Sequence, residues 1–392
     1  MKAGPRVVHY LQDEKFTNFF VELIRTSGGI DHHFIVDPAG PNGTLRHTAP
    51  ANASTVLNPK LPAVPQVSAV FRDCRMLVVH FMNRRAQELT LNASGRVTVF
   101  WSGWGGDYYH LMPGGQEALY APRTTGLLRQ LERNTVAPPR THLKRWALRC
   151  GARRAIHWLH SRRWHSIVTR IDLFSAPIEP EFELLRSALG SKFRAGYCQL
   201  NYGSVEDSFG PDPARKGDLR RLLLGNSADP VNNHLDAAWA IPEDVRRTLT
   251  IVVPVSYGRR DYAEAVCREF RGLGFANIEV MRQFLPLSEY ISESSRCGIA
   301  IYDARRQHAL GNIGAALCQG ARVFLNPANP CLRYLQSLGA AVESTDRLNS
   351  DLSTAAQSSL QDRSAMNRSA LGQCWGRAVV EANARTFLQL SA

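Results

Sequence analysis

Short apolar runs alternate with segments of helical spacing along most of the chain. Val7 to Leu11 reads as a strand and precedes helical positions from Phe16 to Ile24; Met76 to Phe81 precedes Arg84 to Leu91. Val97 to Trp101 leads into a Gly-rich turn. After the stretch "NYGSVEDSFGPDPARKGD" the alternation restarts with Leu222 to Leu224, Thr250 to Val253, Ile278 to Met281, Gly298 to Tyr302 and Arg322 to Leu325. Helices fit between each pair of runs. This pattern predicts an α/β chain with parallel sheets and helices on both faces.

The interruption from Tyr202 to Asp218 is rich in Gly, Pro, Ser and charge, the composition of a domain linker. A chain of 392 residues also exceeds one ordinary core. The expected division is an N-terminal domain over 1–205, a linker over 206–218, a C-terminal domain over 219–370 and a closing helix over 371–392. Trp375, Val379, Val380, Phe387 and Leu388 form the apolar face of that helix, and the polar tail from Asn349 to Ser364 is helix-prone. Two such domains predict a cleft, with ligands at the carboxyl ends of the strands. No fixed-period repeat is visible.

Composition narrows the class. A hydrophobic share of 44% and a charged share of 21% are those of a globular protein, while a formal charge of +13 points to a polyanionic partner: nucleic acid, an anionic membrane or phosphorylated substrates. The eight cysteines are scattered, without a C-x-x-C pair, so reduced thiols are expected rather than a zinc site. Asp13, Glu14 and Lys15 interrupt the N-terminal segment too early for a signal peptide, and no apolar run approaches the roughly 20 residues that span a bilayer. The expectation is a protein that stays on the side where it is made.

Candidate chemistry gathers in turns that follow strands. Gly225-Asn226-Ser227, Pro254 to Gly258 and Ala309 to Gly314 are three small or amide-rich turns of the second half. Such turns let backbone N–H groups approach an anion, and a following helix adds its positive end. Each alone is explained as well by ordinary chain reversal; three together favour a phosphate-bearing ligand. Neither a P-loop nor the G-x-G-x-x-G fingerprint occurs. Arg305, Arg306 and Gln307 follow the strand ending at Tyr302, where arginine can neutralise a diphosphate or form a solvated surface pair.

In the first half "VFWSGWGGDYYHL" sets Asp107 after a strand, beside Trp101, Trp104, Tyr108 and Tyr109. Such a carboxylate either opens onto the cleft as a general base among sugar-holding rings, or caps the helix that follows. His9 and Asp13 near the end of the first strand are further candidates. There is no D-x-D, the metal–diphosphate clamp of metal-dependent sugar transferases, so phosphate binding by backbone and side chains is expected, with no metal and no cofactor.

From Arg140 to Arg170 the chain carries nine Arg and Lys residues and meets no Asp or Glu until Asp172. Trp146, Ile156, Trp158 and Leu159 between them allow an amphipathic helix. A plain surface helix explains the apolar positions equally well, but solvated faces usually mix signs. The one-signed charge therefore predicts docking on an anionic membrane through Arg153, Arg154, Trp158, Arg162 and Arg163.

The ordered set "FWSGWGGDYY", "LLLGNSADPVNNHLDA", "TIVVPVSYG", "SEYISESSRCGIAIYDARRQ" and "LGNIGAALCQGARVFLNPANP" resembles the bacterial TDP-N-acetylfucosamine:lipid II N-acetylfucosaminyltransferase family, also called 4-alpha-L-fucosyltransferases. The similarity runs with gaps from His9 to about Ala341. It implies a GT-B glycosyltransferase architecture, two Rossmann-like parallel-sheet domains facing a cleft, with acceptor on the first and nucleotide-sugar on the second. It implies inverting, metal-independent transfer of 4-acetamido-4,6-dideoxygalactose, or a related deoxyamino sugar, from a TDP-sugar to an undecaprenyl-diphosphate-linked saccharide. The expected location is peripheral, at the cytoplasmic face of the inner membrane. Gly225, Asn226, Ser227, Tyr257, Arg306, Gln307, Gly311 and Asn312 are then donor-binding candidates. Asp107 is the preferred base, His9 the reserve, and Asp13, Trp104 and Tyr108 line the acceptor side. The loop "QHALGN" before Asn312 is longer than the family's, and Pro41 to Pro65 has no counterpart. A GT-B transferase using another donor, such as a UDP-hexose for capsule or exopolysaccharide, is the nearest alternative. A basic nucleic-acid-binding protein is the other, although the chain carries no recognised nucleic-acid module and no such partner is expected.

Overall fold

The computed structural model of the chain describes residues 7–28, 31–134, 153–210, 217–352 and 360–391. The chain divides into two compact units. The first comprises Met1–Pro113, Val136–Gly203 and Val380–Ala392; the second comprises Gly114–Thr135 and Ser204–Val379.

Unit 1 is built on a parallel sheet of strands β1 (Val7–Gln12), β2 (His32–Asp37), β3 (Thr55–Val56), β4 (Met76–His80), β5 (Thr98–Ser102), β6 (Leu173–Ser175) and β7 (Gly196–Tyr197), in the order β3-β2-β1-β4-β5-β6-β7. β1, β4 and β5 are buried almost throughout, which is why they read as continuous apolar runs. Phe20, Val21 and Ile24 of the helix Thr17–Ser27 pack with Val380, Ala384, Phe387 and Leu388 on one core. The last four recur at helical spacing on the helix Arg377–Ser391. Phe387 meets Phe100 edge to face at 5.4 Å.

Unit 2 is a six-stranded parallel sheet of β8 (Asp218–Leu224), β9 (Thr250–Pro254), β10 (Asn277–Met281), β11 (Cys297–Tyr302), β12 (Arg322–Leu325) and β13 (Val342–Ser344), in the order β10-β9-β8-β11-β12-β13. Leu222 and Leu224 register with Ile299 and Ile301 across β8 and β11. One core joins these residues to Ile251, Val253, Tyr262, Phe270 and Phe324, and also to Leu127 and Leu128 of the helix Pro122–Asn134. Asp236 secures the start of that helix, accepting from Arg123 N (2.8 Å), Thr124 N (2.9 Å) and Thr124 Oγ1 (2.7 Å).

In each unit the strand order reverses once, between β1 and β4 and between β8 and β11. The carboxyl ends of those pairs are the switch points where such sheets hold ligands.

The units do not follow the expected division at two places. Residues 114–135 belong to unit 2 because the apolar side of the helix Pro122–Asn134 is completed by that core, and residues from Val380 onward belong to unit 1 for the corresponding reason. The expected closing helix is two helices, Leu360–Trp375 and Arg377–Ser391. Much of the polar tail from 349 to 364, and the basic positions Arg140, Lys144, Arg145 and Arg149, lie outside the described residues.

Candidate functional site

The carboxyl-terminal edge of unit 2 brings the sequence-predicted donor residues together. β8 ends at Leu224, and Gly225 turns the chain with φ +70°, its N–H bonding Ile301 O at 2.9 Å. A Cβ there would lie 2.6 Å from His234 Nε2, so a larger residue is excluded by both conformation and space. Ser227 is fully buried. Its Oγ accepts from Asp229 N (3.4 Å) and Asn232 Nδ2 (3.3 Å), so this residue shapes the turn rather than facing a ligand as expected.

Asn226 Nδ2 donates to Tyr257 OH at 2.9 Å, and Tyr257 keeps 46% of its surface exposed. The turns after β8 and β9 are zipped by Ala228 N to Tyr257 O (2.7 Å) and Arg259 N to Ala228 O (3.1 Å).

Beyond β11, burial raises the Asp303 carboxyl to about 6, while Asn326 Nδ2 (2.7 Å) and Thr345 Oγ1 (3.0 Å) donate to it. Asn329 Nδ2 donates to Ala304 O (2.9 Å) and Arg306 O (2.8 Å), fixing the loop that carries the arginines. Arg306 and Gln307 are buried; Arg306 Nη1 donates to Gln307 O at 2.8 Å, and its Nη2 lies 4.0 Å from Asp229.

Ala309, with φ +60°, opens the helix Leu310–Cys318, whose first turn has no side-chain cap and no acidic residue. Gly311 is exposed, with open space where a Cβ would stand. Tyr302 OH donates to Asn312 O at 3.3 Å. An uncapped helix start beside a buried guanidinium suits an anion. Gly225, Asn226, Tyr257, Arg306, Gln307, Gly311 and Asn312 thus share one edge, joined by Asn232, His234, Asp303, His308 and Asn329, which the sequence reading passed over.

Unit 1 corrects several expectations. Asp107 is 4% exposed and does not open outward: its carboxylate accepts from Met82 N (2.8 Å), Trp101 Nε1 (2.8 Å) and Trp104 N (2.9 Å). Burial raises its carboxyl above the ordinary range against these bonds. Asp13 is also buried, with both oxygens committed to the backbone N–H groups of Ala39, Arg46, His47 and Thr48. Burial works to raise it and the four N–H groups outweigh that, so its carboxyl titrates below the ordinary value. It organises the 39–48 loop rather than meeting an acceptor. Tyr108 is core, packed on Trp101, Phe174 and Tyr109.

His9 is not at a strand end near solvent either. It is fully buried, Nδ1 3.1 Å from His80 Nε2 and Nε2 3.0 Å from His32 Nδ1, and His80 Nδ1 bonds Tyr202 OH. Trp104 remains half-buried at the carboxyl-terminal edge. Tyr202 (5.2 Å), Phe81 (5.9 Å) and the exposed Phe16 (6.4 Å) surround it, none of them singled out from the sequence. Phe81 holds φ +72°, a strained conformation for a bulky side chain, directly after β4 at the switch point.

Of the basic helix, Arg153–Val168, Arg162 is exposed, Arg163 Nε donates to Gln87 Oε1 at 2.8 Å, and Trp164 packs on Trp101 at 6.1 Å. The side chains of Arg153, Arg154 and Trp158 lie outside the described residues. Among the described residues, no helix is long and apolar enough to cross a membrane, and no three His, Cys, Asp or Glu residues are grouped to hold a metal ion.

Residues 207–383 match the family described as 4-alpha-L-fucosyltransferase glycosyl transferase group 56. The fold resembles α,α-trehalose 6-phosphate synthase from Burkholderia multivorans (TM-score 0.60, 11% identity, 99% of this chain and 96% of that one). It also resembles sucrose-phosphate synthase from Thermosynechococcus elongatus (TM-score 0.61, 12% identity, 98% of each chain). Anabaena HepE, solved in complex with UDP-glucose, matches with a TM-score of 0.61 and 12% identity over 98% of this chain and 99% of that one. At such identities the likeness carries the fold, two Rossmann-like parallel-sheet units of GT-B type. The chain is a glycosyltransferase of GT-B type, and its residues 207–383 are similar to the 4-alpha-L-fucosyltransferases of glycosyl transferase group 56.

Proposed function

We propose that the chain transfers 4-acetamido-4,6-dideoxygalactose, or a related deoxyamino sugar, from a TDP-sugar to an undecaprenyl-diphosphate-linked saccharide. The observation that carries this reading is the coincidence of the family match at 207–383 with the anion-suited edge formed by Arg306 and the uncapped helix Leu310–Cys318. In this reading Arg306 and the N–H groups at Gly311 and Asn312 hold the diphosphate and stabilise charge on the departing nucleotide. Tyr257 holds the nucleoside side, with Gln307 beside it, and Asn226 faces the donor from the turn after β8. No step of the scheme calls on a metal or cofactor.

The acceptor hydroxyl attacks the anomeric carbon from the face opposite the nucleotide as a base takes its proton. Trp104, with Phe16 and Tyr202, offers apolar ring faces to an acceptor sugar in unit 1. Asp107 is the proposed base and His9 the reserve. For Asp107 to take a proton, one of its three N–H bonds has to yield; His9 would act through His80 and Tyr202 or through His32. An acceptor with a polyprenyl tail calls for work at the anionic inner leaflet, with Arg153, Arg154, Trp158, Arg162 and Arg163 as the proposed docking residues.

Thermal stabilisation by TDP, UDP, GDP and CMP tests the reading, because a ligand that binds only the native state raises its melting temperature. TDP is expected to stabilise most. Arg306→Ala is expected to weaken TDP by about 10- to 100-fold while leaving thymidine unchanged, the loss of a charge-assisted bond. Greater stabilisation by UDP favours the UDP-hexose alternative, a reading supported by HepE, the neighbour solved with UDP-glucose. No stabilisation by any nucleotide overturns both.

A further inference from the structure

Four polar atoms at the carboxyl-terminal edge of unit 2 are buried without a hydrogen-bond partner: Asn226 Oδ1, Asn232 Oδ1, His234 Nε2 and His308 Nε2. Asn226, Asn232 and His234 follow β8, and His308 follows β11, so the set straddles the switch point. The orientation of Asn232 is fixed. Its Nδ2 donates to the carbonyls of Ser227 and Asp229, both at 3.1 Å, so a flipped carboxamide would set oxygen against oxygen. The ideal Cβ position of Gly225 lies 2.6 Å from His234 Nε2 and 3.2 Å from Asn232 Cγ, which brings these two groups together over the glycine. His308 lies within electrostatic reach of the Arg306 guanidinium and the His234 ring.

The chemistry of the cluster is uncharged. Burial pushes His234 down to about 3, and burial with Arg306 and His234 does the same for His308, so both imidazoles are neutral at working pH. Buried polar atoms without partners are costly, and native proteins keep them where another molecule completes them. A phosphate carries only acceptors, and the two carboxamide oxygens would oppose it. A pyranose offers hydroxyl or acetamido N–H donors and no charge, which matches both.

We propose that Asn226, Asn232, His234 and His308 form a neutral subsite that hydrogen-bonds the sugar of the donor and determines which sugar is transferred. The assignment rests on the nucleotide-sugar reading above; it adds that sugar and diphosphate are read by separate groups, the first neutral and the second cationic.

Calorimetry on the full chain tests this with TDP and TDP-4-acetamido-4,6-dideoxygalactose as probes. The wild type is expected to bind the TDP-sugar more tightly than TDP. Asn226→Ala and His308→Phe are expected to weaken the TDP-sugar by about 10-fold or more and to leave TDP within about two-fold. His308→Gln, which keeps a polar terminus, is expected to recover most of the loss. Equal losses for both probes would assign the cluster to the nucleotide, and no loss for either would assign it to bound water; each outcome overturns the proposal. If His308→Phe does not fold, Asn226→Ala and the wild-type affinity ratio decide, since a wild type that binds both probes equally overturns it as well. A wild type that binds neither probe removes the nucleotide-sugar reading itself, a result distinct from the other two.

Discussion

His9 Nδ1 lies 3.1 Å from His80 Nε2 in the core of unit 1, so two buried imidazoles share one proton between them. Phe34 stacks on His9 at 4.9 Å and Phe20 meets His80 at 4.4 Å, so a charge on either buried imidazole would face aromatic rings.

Acid sensitivity follows from these and other buried histidines. Burial holds His80 at about 3, and burial followed by His80 and His32 depresses His9; His234 in unit 2 is held at about 3. Unfolded imidazoles titrate near 6.5, so below that pH the unfolded chain binds more protons than the folded one. The stability these groups contribute is complete above about pH 6.5 and falls by about 1.4 kcal/mol per pH unit for each fully buried histidine as pH drops toward the folded values. Asp303, raised to about 6 by burial, opposes them, gaining stability as pH falls below 6. The melting temperature is expected to drop between pH 7 and pH 5, with a shallower slope in His80→Asn. A flat wild-type profile over that interval would contradict the neutral-imidazole core.

Asp107→Asn separates two roles for one carboxylate. Oδ2 accepts from Met82 N and Trp101 Nε1, and Oδ1 from Trp104 N; a carboxamide has one oxygen and must turn its NH2 toward one of these donors. The variant is expected to lose about 1–3 kcal/mol, a fall of roughly 2–4 °C per kcal/mol, together with turnover. Calorimetry beside initial rates reads both. An unchanged melting temperature with turnover lowered by about 100-fold would assign Asp107 to proton removal alone.

Asn233 is the latch of unit 2. In a left-handed conformation, φ +49°, it accepts from Ala121 N (2.9 Å) and donates to Leu119 O (3.1 Å) and Asp303 O (3.0 Å). Asn233→Ala is expected to cost about 2–4 kcal/mol and to expose residues 114–135 to protease, with Asn233→Gly milder because it relieves the backbone term. Denaturant unfolding with mass-spectrometric mapping of the cuts checks this. Equal stability of the wild type and the alanine variant would show that the helix Pro122–Asn134 is held by its apolar side and Asp236, without Asn233.

The central strands were legible because burial on both faces leaves continuous apolar runs, as in Leu222 to Leu224 or Met76 to His80. β2 was hidden by His32 and His33, which read as polar although the strand is paired on both sides, and β3, β6, β7 and β13 are two or three residues long. The donor edge was legible as small residues after strands. What sequence could not show is the path of a loop after it leaves a strand. The same carboxylate chemistry opens outward or folds back onto N–H groups, and Asp13 and Asp107 fold back. Asn233 carries little local signal, since Ala121 and Leu119 lie more than a hundred residues before it and Asp303 lies 70 residues after it.

The exchange of segments between units also governs the order in which the protein can fold during synthesis. Leu127 and Leu128 leave the ribosome well before the strands that cover them, and Phe20, Phe34 and Phe100 wait for Phe387, which is made long after them. Neither half can close as its own stretch of chain emerges. Apolar surface of unit 1 stays exposed until the helix Arg377–Ser391 has been made, a window in which association competes with folding. Chaperone dependence in vivo, and a steep loss of soluble protein when Val380–Ala392 is deleted, are therefore expected from the connectivity rather than from any single contact.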